Sequence, residues 1–190
     1  LKIIKNTSPL NFAENVNQII DIAMKKKKDL IFLNNDLIFT SNWLKPLLKN
    51  SGEISIPSNN QIFQYESKCR SLKLKVTMNF EDFNEEYELL NDIISKHKKK
   101  FESIQKFQTL LMPFSCFKVP LKILSEVGQF DTSYGTGGGE DVDYRIRCAM
   151  KGYEVNFLIN SYLLHFHGKS TWGIETIEQT EKRNKIYVKA

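Results

Sequence analysis

Apolar positions in the first forty residues change period midway. Val16, Ile19, Ile20 and Ala23 fall at i, i+3, i+4 and i+7, which is one face of an amphipathic helix. The helix runs into Lys25–Lys28, cations at the end where the helix dipole favours them. Leu30 to Leu33 are then four consecutive apolar residues. Such a run suits a strand buried on both faces of a parallel sheet. Upstream, "LKIIKN" reads as a short strand. Strand, helix and strand make a βαβ unit, so the pattern predicts an α/β fold with a mostly parallel central sheet.

The pattern continues in the same alternation. "TSNWLKPLL" predicts a short helix capped by Thr40 or Ser41, and "EISIP" a strand ended by Pro57. Residues 58–78 carry no clear period. Phe83, Tyr87, Leu90, Ile94, Phe101, Ile104 and Phe107 recur at three, four or seven, which predicts a long helix over 81–108 with an apolar core stripe. "PFSCFKV" predicts a strand. "PLKILSEVG" predicts a helix opened by Pro120 and closed by Gly128. In "DVDYRIRCAMKG" the residues Val142, Ile146, Ala149 and Met150 share one helical face, with Gly152 as the stop. "YEVNFLI" and "YLLHFH" predict two more strands. No internal repeat is present.

Length and composition bound the function classes. The 190 residues suit a single domain, and 41% hydrophobic with 26% charged residues is an ordinary globular balance. No apolar run is long enough to span a bilayer, and no secretory pattern opens the chain. Cys69, Cys116 and Cys148 are odd in number and widely spaced, which predicts a reducing, cytoplasmic compartment and no disulfide framework. The net charge is +5, concentrated at Lys25–Lys28 and Lys98–Lys100. These clusters are either solvated helix ends or a surface for a phosphate-bearing partner, including the inner face of a membrane. Basic residues are not interleaved with aromatics on one stripe, which argues against nucleic acid.

Chemistry concentrates in three places. Asn34, Asn35 and Asp36 close a predicted strand, where open α/β sheets bind ligands. "YGTGGGEDVDYRIR" places glycines immediately before Glu140, Asp141 and Asp143. It fails as a dinucleotide loop, because Glu140 occupies the third glycine position. "HGKST" fails as a phosphate loop, because Leu163 stands where that motif needs glycine. Calcium turns of the Gly-Gly-x-Gly-x-Asp kind act as arrays and this one is single. An EF-hand is excluded by Arg145 and Arg147 at ligand positions. Two readings of Glu140 and Asp141 stay open: caps of a helix start, or carboxylates at the mouth of a site. Asp36 can offer oxygen to a hard cation. His165 or His167 can add a nitrogen, which shifts the choice of metal toward manganese.

Together these residues resemble a known family. "FLNNDLIFTSNWLKPLL" is similar to the strand, Asp-x-Asp-type motif and following helix of the family-2 glycosyltransferases, which have the GT-A fold. "VGQFDTSYGTGGGEDVDYRIRCAMKGYEV" resembles their acceptor-side block, and "LLHFHGKST" their late His-x-x-Gly-x-Ser segment. The resemblance implies a nucleotide-sugar donor and a saccharide or lipid-linked acceptor. It implies a divalent cation, Mn2+ or Mg2+, held by Asp36 and His165, with His167 as the alternate. Asn34, Asn35 and Asp36 would bind the donor. Asp141 would be the general base for the acceptor hydroxyl, with inversion at the sugar. Glu140 would orient the acceptor beside Gly138 and Gly139, and Trp172 would stack on it. Asn34 replaces the first acid of the motif, and Asn11 and Ile19 stand where glycines are usual. The resemblance starts at "LKIIKN", just after the strand that holds the nucleotide base, so the expected fold is N-terminally incomplete.

The expected organisation is one domain over 1–190. It divides into a donor and metal half (1–57), a variable helical insertion (58–112), an acceptor and catalytic half (113–175) and a C-terminal tail or helix (176–190). The substituted glycines and the absent first strand also fit a non-catalytic GT-A-like binding or assembly module.

Overall fold

A computed structural model describes residues 3–60, 83–100, 106–108, 115–135, 138–166 and 176–189. Helix α1 (Phe12–Lys26) is followed by strand β1 (Leu30–Leu33), strand β2 (Leu37–Phe39), helix α2 (Leu44–Lys49) and strand β3 (Ile54–Ser58). Helix α3 (Phe83–Lys100) and strands β4 (Lys106–Gln108) and β5 (Cys116–Val119) come next. Helix α4 (Leu121–Val127), a 3-10 turn (Thr132–Tyr134), helix α5 (Glu140–Met150), strand β6 (Val155–His165) and helix α6 (Ile177–Lys189) complete the order.

The six strands form one sheet in the order β1-β5-β3-β6-β2, with β4 also pairing β6. Among the described residues only the β3–β6 pair is parallel; β1–β5, β3–β5, β2–β6 and β4–β6 are antiparallel. The expected mostly parallel sheet is therefore corrected to a mostly antiparallel one. The run Leu30–Leu33 misled because β1 lies at an edge. Leu30 and Phe32 are buried, but Leu33 is 38% exposed. An apolar run alone does not tell a strand buried on both faces from one at a margin.

The main core lies between one face of the sheet and helices α1, α4 and α5. Val16 and Ile20 of α1 meet Leu30, Phe32, Ile54, Ile56, Phe117 and Val119 there. Ile19, expected on this face, is 37% exposed instead. Asn11 opens α1 with a capping box: its side chain accepts from the Glu14 N–H, and the Glu14 carboxylate accepts from the Asn11 N–H. Two smaller clusters pack elsewhere on the sheet. One places Leu47 of α2 against Cys116, Leu158 and Leu163; the other places Leu90 and Ile94 of α3 against Ile38, Tyr162 and Leu164.

Several local expectations change. Ile3 to Asn6 form no strand. Neither Thr40 nor Ser41 caps α2; Trp43 holds the N-cap position without a side-chain bond, and the Thr40 hydroxyl donates to the Tyr162 carbonyl at 2.6 Å. The long helical stripe stops at Lys100, and Phe107 belongs to β4; Phe101 and Ile104 lie outside the described residues. The last two expected strands are one continuous β6, whose register against β3 shifts between Pro57 and Ser58.

The largest change is in α5. Its expected inner face is its outer one: Ile146 is 44% and Met150 81% exposed. The buried side carries Glu140, Tyr144 and Cys148, also spaced at helical period. Tyr144 wins this face because Phe130 stacks flat on it, with centroids 4.1 Å apart and planes 4° from parallel.

Candidate active site

Two groups of polar residues are candidates for the site, each built on different elements. The first sits where β1 turns into β2. Asn34 follows β1, and its N–H donates to the Ser115 carbonyl at 2.8 Å. Asn35 is exposed, while Asn34 and Asp36 are half-buried. β2 then pairs antiparallel with the end of β6, in a register that sets Leu37 opposite His165. That register brings Asp36, one residue before Leu37, against the imidazole. His165 Nε2 stands 3.1 Å from Asp36 Oδ1, with side-chain exposures of 7% and 13%. The Phe166 N–H donates to the Asp36 carbonyl at 3.1 Å, which closes the corner.

The pair has the donor chemistry of a cation site: one hard carboxylate oxygen and one imidazole nitrogen. Ligands about 2.1 Å from a six-coordinate ion lie about 3 Å apart at neighbouring corners. The observed separation fits that spacing, and it equally fits a direct contact between the two side chains. Among the described residues no cluster of three or more His, Cys, Asp or Glu side chains converges on one point. His167 and Trp172 lie outside the described residues.

Asn60 is a residue that sequence reading passed over. Its side-chain oxygen accepts from the His165 N–H at 2.8 Å, so it fixes the backbone that carries the imidazole. It falls at the start of the stretch with no apolar period, and no motif marks it.

The second group begins α5. Gly138 and Gly139 both hold φ near the left-handed side, at 114° and 113°. A side chain at either position would be strained, which gives these glycines a backbone reason. Gly139 is the N-cap and supplies no side-chain bond. The Glu140 carboxylate accepts from the Gly138 N–H, in the turn ahead of the helix. Its side chain is buried, and desolvation pushes its pKa up against two backbone hydrogen bonds that lower it. Asp141 accepts from the Val142 N–H at 2.9 Å. Burial, with the neighbouring Glu140 charge adding to it, pushes the Asp141 carboxyl up to about 6. Asp143 faces elsewhere. It accepts from Arg147 at 2.8 Å through Nε and pairs with Nη2 at 2.7 Å.

The turn before this helix is anchored across the core. The Asn17 amide of α1 donates to the Phe130 carbonyl at 2.9 Å, and its oxygen accepts from the Phe130 N–H at 2.8 Å. Phe130 then stacks on Tyr144. Arg147 donates to the Val127 carbonyl at 3.1 Å and lies over the Tyr144 ring at 5.1 Å. Asp131 caps the 3-10 turn through the Ser133 N–H, a bond that holds its carboxyl below the ordinary range.

The fold is GT-A-like. Among solved structures the chain is similar to the crystal structure of GalNAc-T7 with UDP, GalNAc and Mn2+. The TM-score is 0.58 at 14% identity, over 92% of this chain and 33% of that one. The chain therefore spans about a third of the length of that neighbour. No protein-family model matches the sequence, and no curated protein does.

Proposed function

We propose that the chain transfers a sugar from a nucleotide-diphosphate donor to a hydroxyl of a saccharide or lipid-linked acceptor, with inversion, as a family-2-like glycosyltransferase. The observation that carries this reading is the Asp36–His165 pair at 3.1 Å, on a GT-A-like fold. That neighbour was solved with a nucleotide, a sugar and Mn2+, which is consistent with the same ligand classes here.

Asp36 and His165 would hold a divalent cation, Mn2+ or Mg2+. When bound, the cation offsets charge developing on the leaving nucleoside diphosphate. Asn34 and Asn35 offer amide groups to the donor beside it. Asp141 takes the proton of the acceptor hydroxyl as that oxygen attacks the anomeric carbon. A carboxyl raised to about 6 is ionised at neutral pH, yet more basic than an ordinary aspartate. Glu140 and the Gly138 and Gly139 backbone shape the place where the acceptor sits. Trp172 is proposed to stack on that sugar.

The test is a donor screen that reads released nucleoside diphosphate, run on wild type and Asp141→Asn. Release that needs acceptor and Asp141 supports transfer. Release unchanged in Asp141→Asn counts against the base. A non-catalytic GT-A-like binding module is the second reading, favoured by Asn11, which caps α1 where the family has a glycine. It predicts nucleotide binding with no release for any donor.

A further inference from the structure

Lysines far apart in sequence approach the α2 region from two sides. Lys27 and Lys28 follow α1 and line a cavity of about 430 Å³ together with Leu48 and Ser51 of the α2 region. Leu48 also lines a neighbouring cavity of about 480 Å³ with Trp43, Leu44, Lys45 and Lys49. From the other side, Lys98 of α3 donates to the Ser41 carbonyl at 3.1 Å, just before α2. α2 thus lies among lysines contributed by three helical segments.

The centre of this surface is apolar and open. Leu48 is 58% and Leu44 37% exposed, and Lys45 and Lys49 flank them, also exposed. The acidic groups nearby have cationic partners, and Asp29 lines the first cavity itself. Asp29 pairs with the buried Lys118 at 3.4 Å and caps α4 through the Leu121 N–H. Asp92 of α3 pairs with Lys96 at 2.6 Å. Lys27 and Lys28 precede β1 whereas Asn34 to Asp36 follow it, so the surface and the donor group occupy opposite ends of that strand.

We infer that this surface docks on an anionic lipid bilayer, with Leu44 and Leu48 entering the headgroup region and the lysines facing lipid phosphates. A short apolar strip ringed by lysine is the composition that lies in a membrane interface. Charge alone suits any polyanion. Open leucines at its centre favour a surface that offers apolar depth beneath its phosphates. The inference stands independently of the proposed transfer reaction, since docking needs neither donor nor metal.

The test is co-sedimentation with phosphatidylcholine vesicles and with mixed phosphatidylcholine–phosphatidylglycerol vesicles across a salt series. Binding is expected to the mixed vesicles alone and to fall as salt rises. Lys45→Glu/Lys49→Glu should weaken it by about tenfold or more. The charge-matched Lys182→Glu/Lys185→Glu, on exposed positions of α6, should bind within about twofold of wild type. Leu48→Asn should weaken vesicle binding several-fold while circular dichroism stays native. Absence of vesicle binding, or equal loss in both double variants, overturns the inference. So does equally tight binding to duplex DNA that Leu48→Asn leaves unchanged, which would mark a general polyanion surface.

Discussion

Asp36 Oδ1 and His165 Nε2 lie 3.1 Å apart because β2 pairs antiparallel with the end of β6, Leu37 opposite His165. Neither residue is placed by its neighbours in sequence. A strand register places them, and a slip of one residue would turn the imidazole to the other face.

Asp36→Ala should abolish manganese-dependent binding of a nucleoside diphosphate, and His165→Ala should weaken it by about tenfold or more. Calorimetric titration with manganese and the nucleotide checks this. Unchanged affinity in Asp36→Ala would remove the residue from the proposed cation site.

Asp141 gives a paired prediction. As a base with a carboxyl near 6, it should make kcat/KM fall about tenfold per pH unit below that value. Its stability effect has the opposite sense. The folded value lies above the unfolded one, so between about 4 and 6 the native state binds more protons and stability falls as pH rises. Asp141→Asn, which keeps an acceptor for the Val142 N–H, should therefore lose transfer yet gain about 1–3 kcal/mol at neutral pH. Urea unfolding beside the activity assay reads both.

Asp143 should behave differently from its neighbour. It is tied to Arg147, and both side chains are partly exposed, at 24% and 29%. Asp143→Asn should cost about 1 kcal/mol or less and leave transfer near wild type. Loss of transfer comparable to that of Asp141→Asn would mean that the wrong carboxylate has been assigned.

Asn17→Ala tests how α5 is held. It strips partners from both the N–H and the carbonyl of Phe130 in the core, and should cost about 2–4 kcal/mol. Because Phe130 stacks on Tyr144, transfer should fall as well, read at a temperature where the variant remains folded. Stability loss with full activity would show that α5 keeps its place without this anchor.

What the sequence determined by itself was local. The period of Val16, Ile20 and Ala23 defines α1, Pro120 and Gly128 bracket α4, and the acids after Gly139 start α5. These depend on backbone preferences and spacing within a few residues, which a linear reading captures. Asn34 to Asp36 and Glu140 to Asp141 could be picked out as site candidates by position alone, at element ends where polar side chains serve as caps or as ligand groups. Tertiary structure decided what depends on partners distant in the chain. Strand direction was one such matter, since an apolar run carries no record of which strand lies beside it. The buried face of α5 was another: Ile146 and Met150 are as apolar as a core needs, but the ring of Phe130 lies against Tyr144 and turns them outward. The meeting of Asp36 with His165, and the approach of Lys27 and Lys28 to Leu48, belong to the same class. Each brings together residues far apart in the chain, and packing and register set those distances.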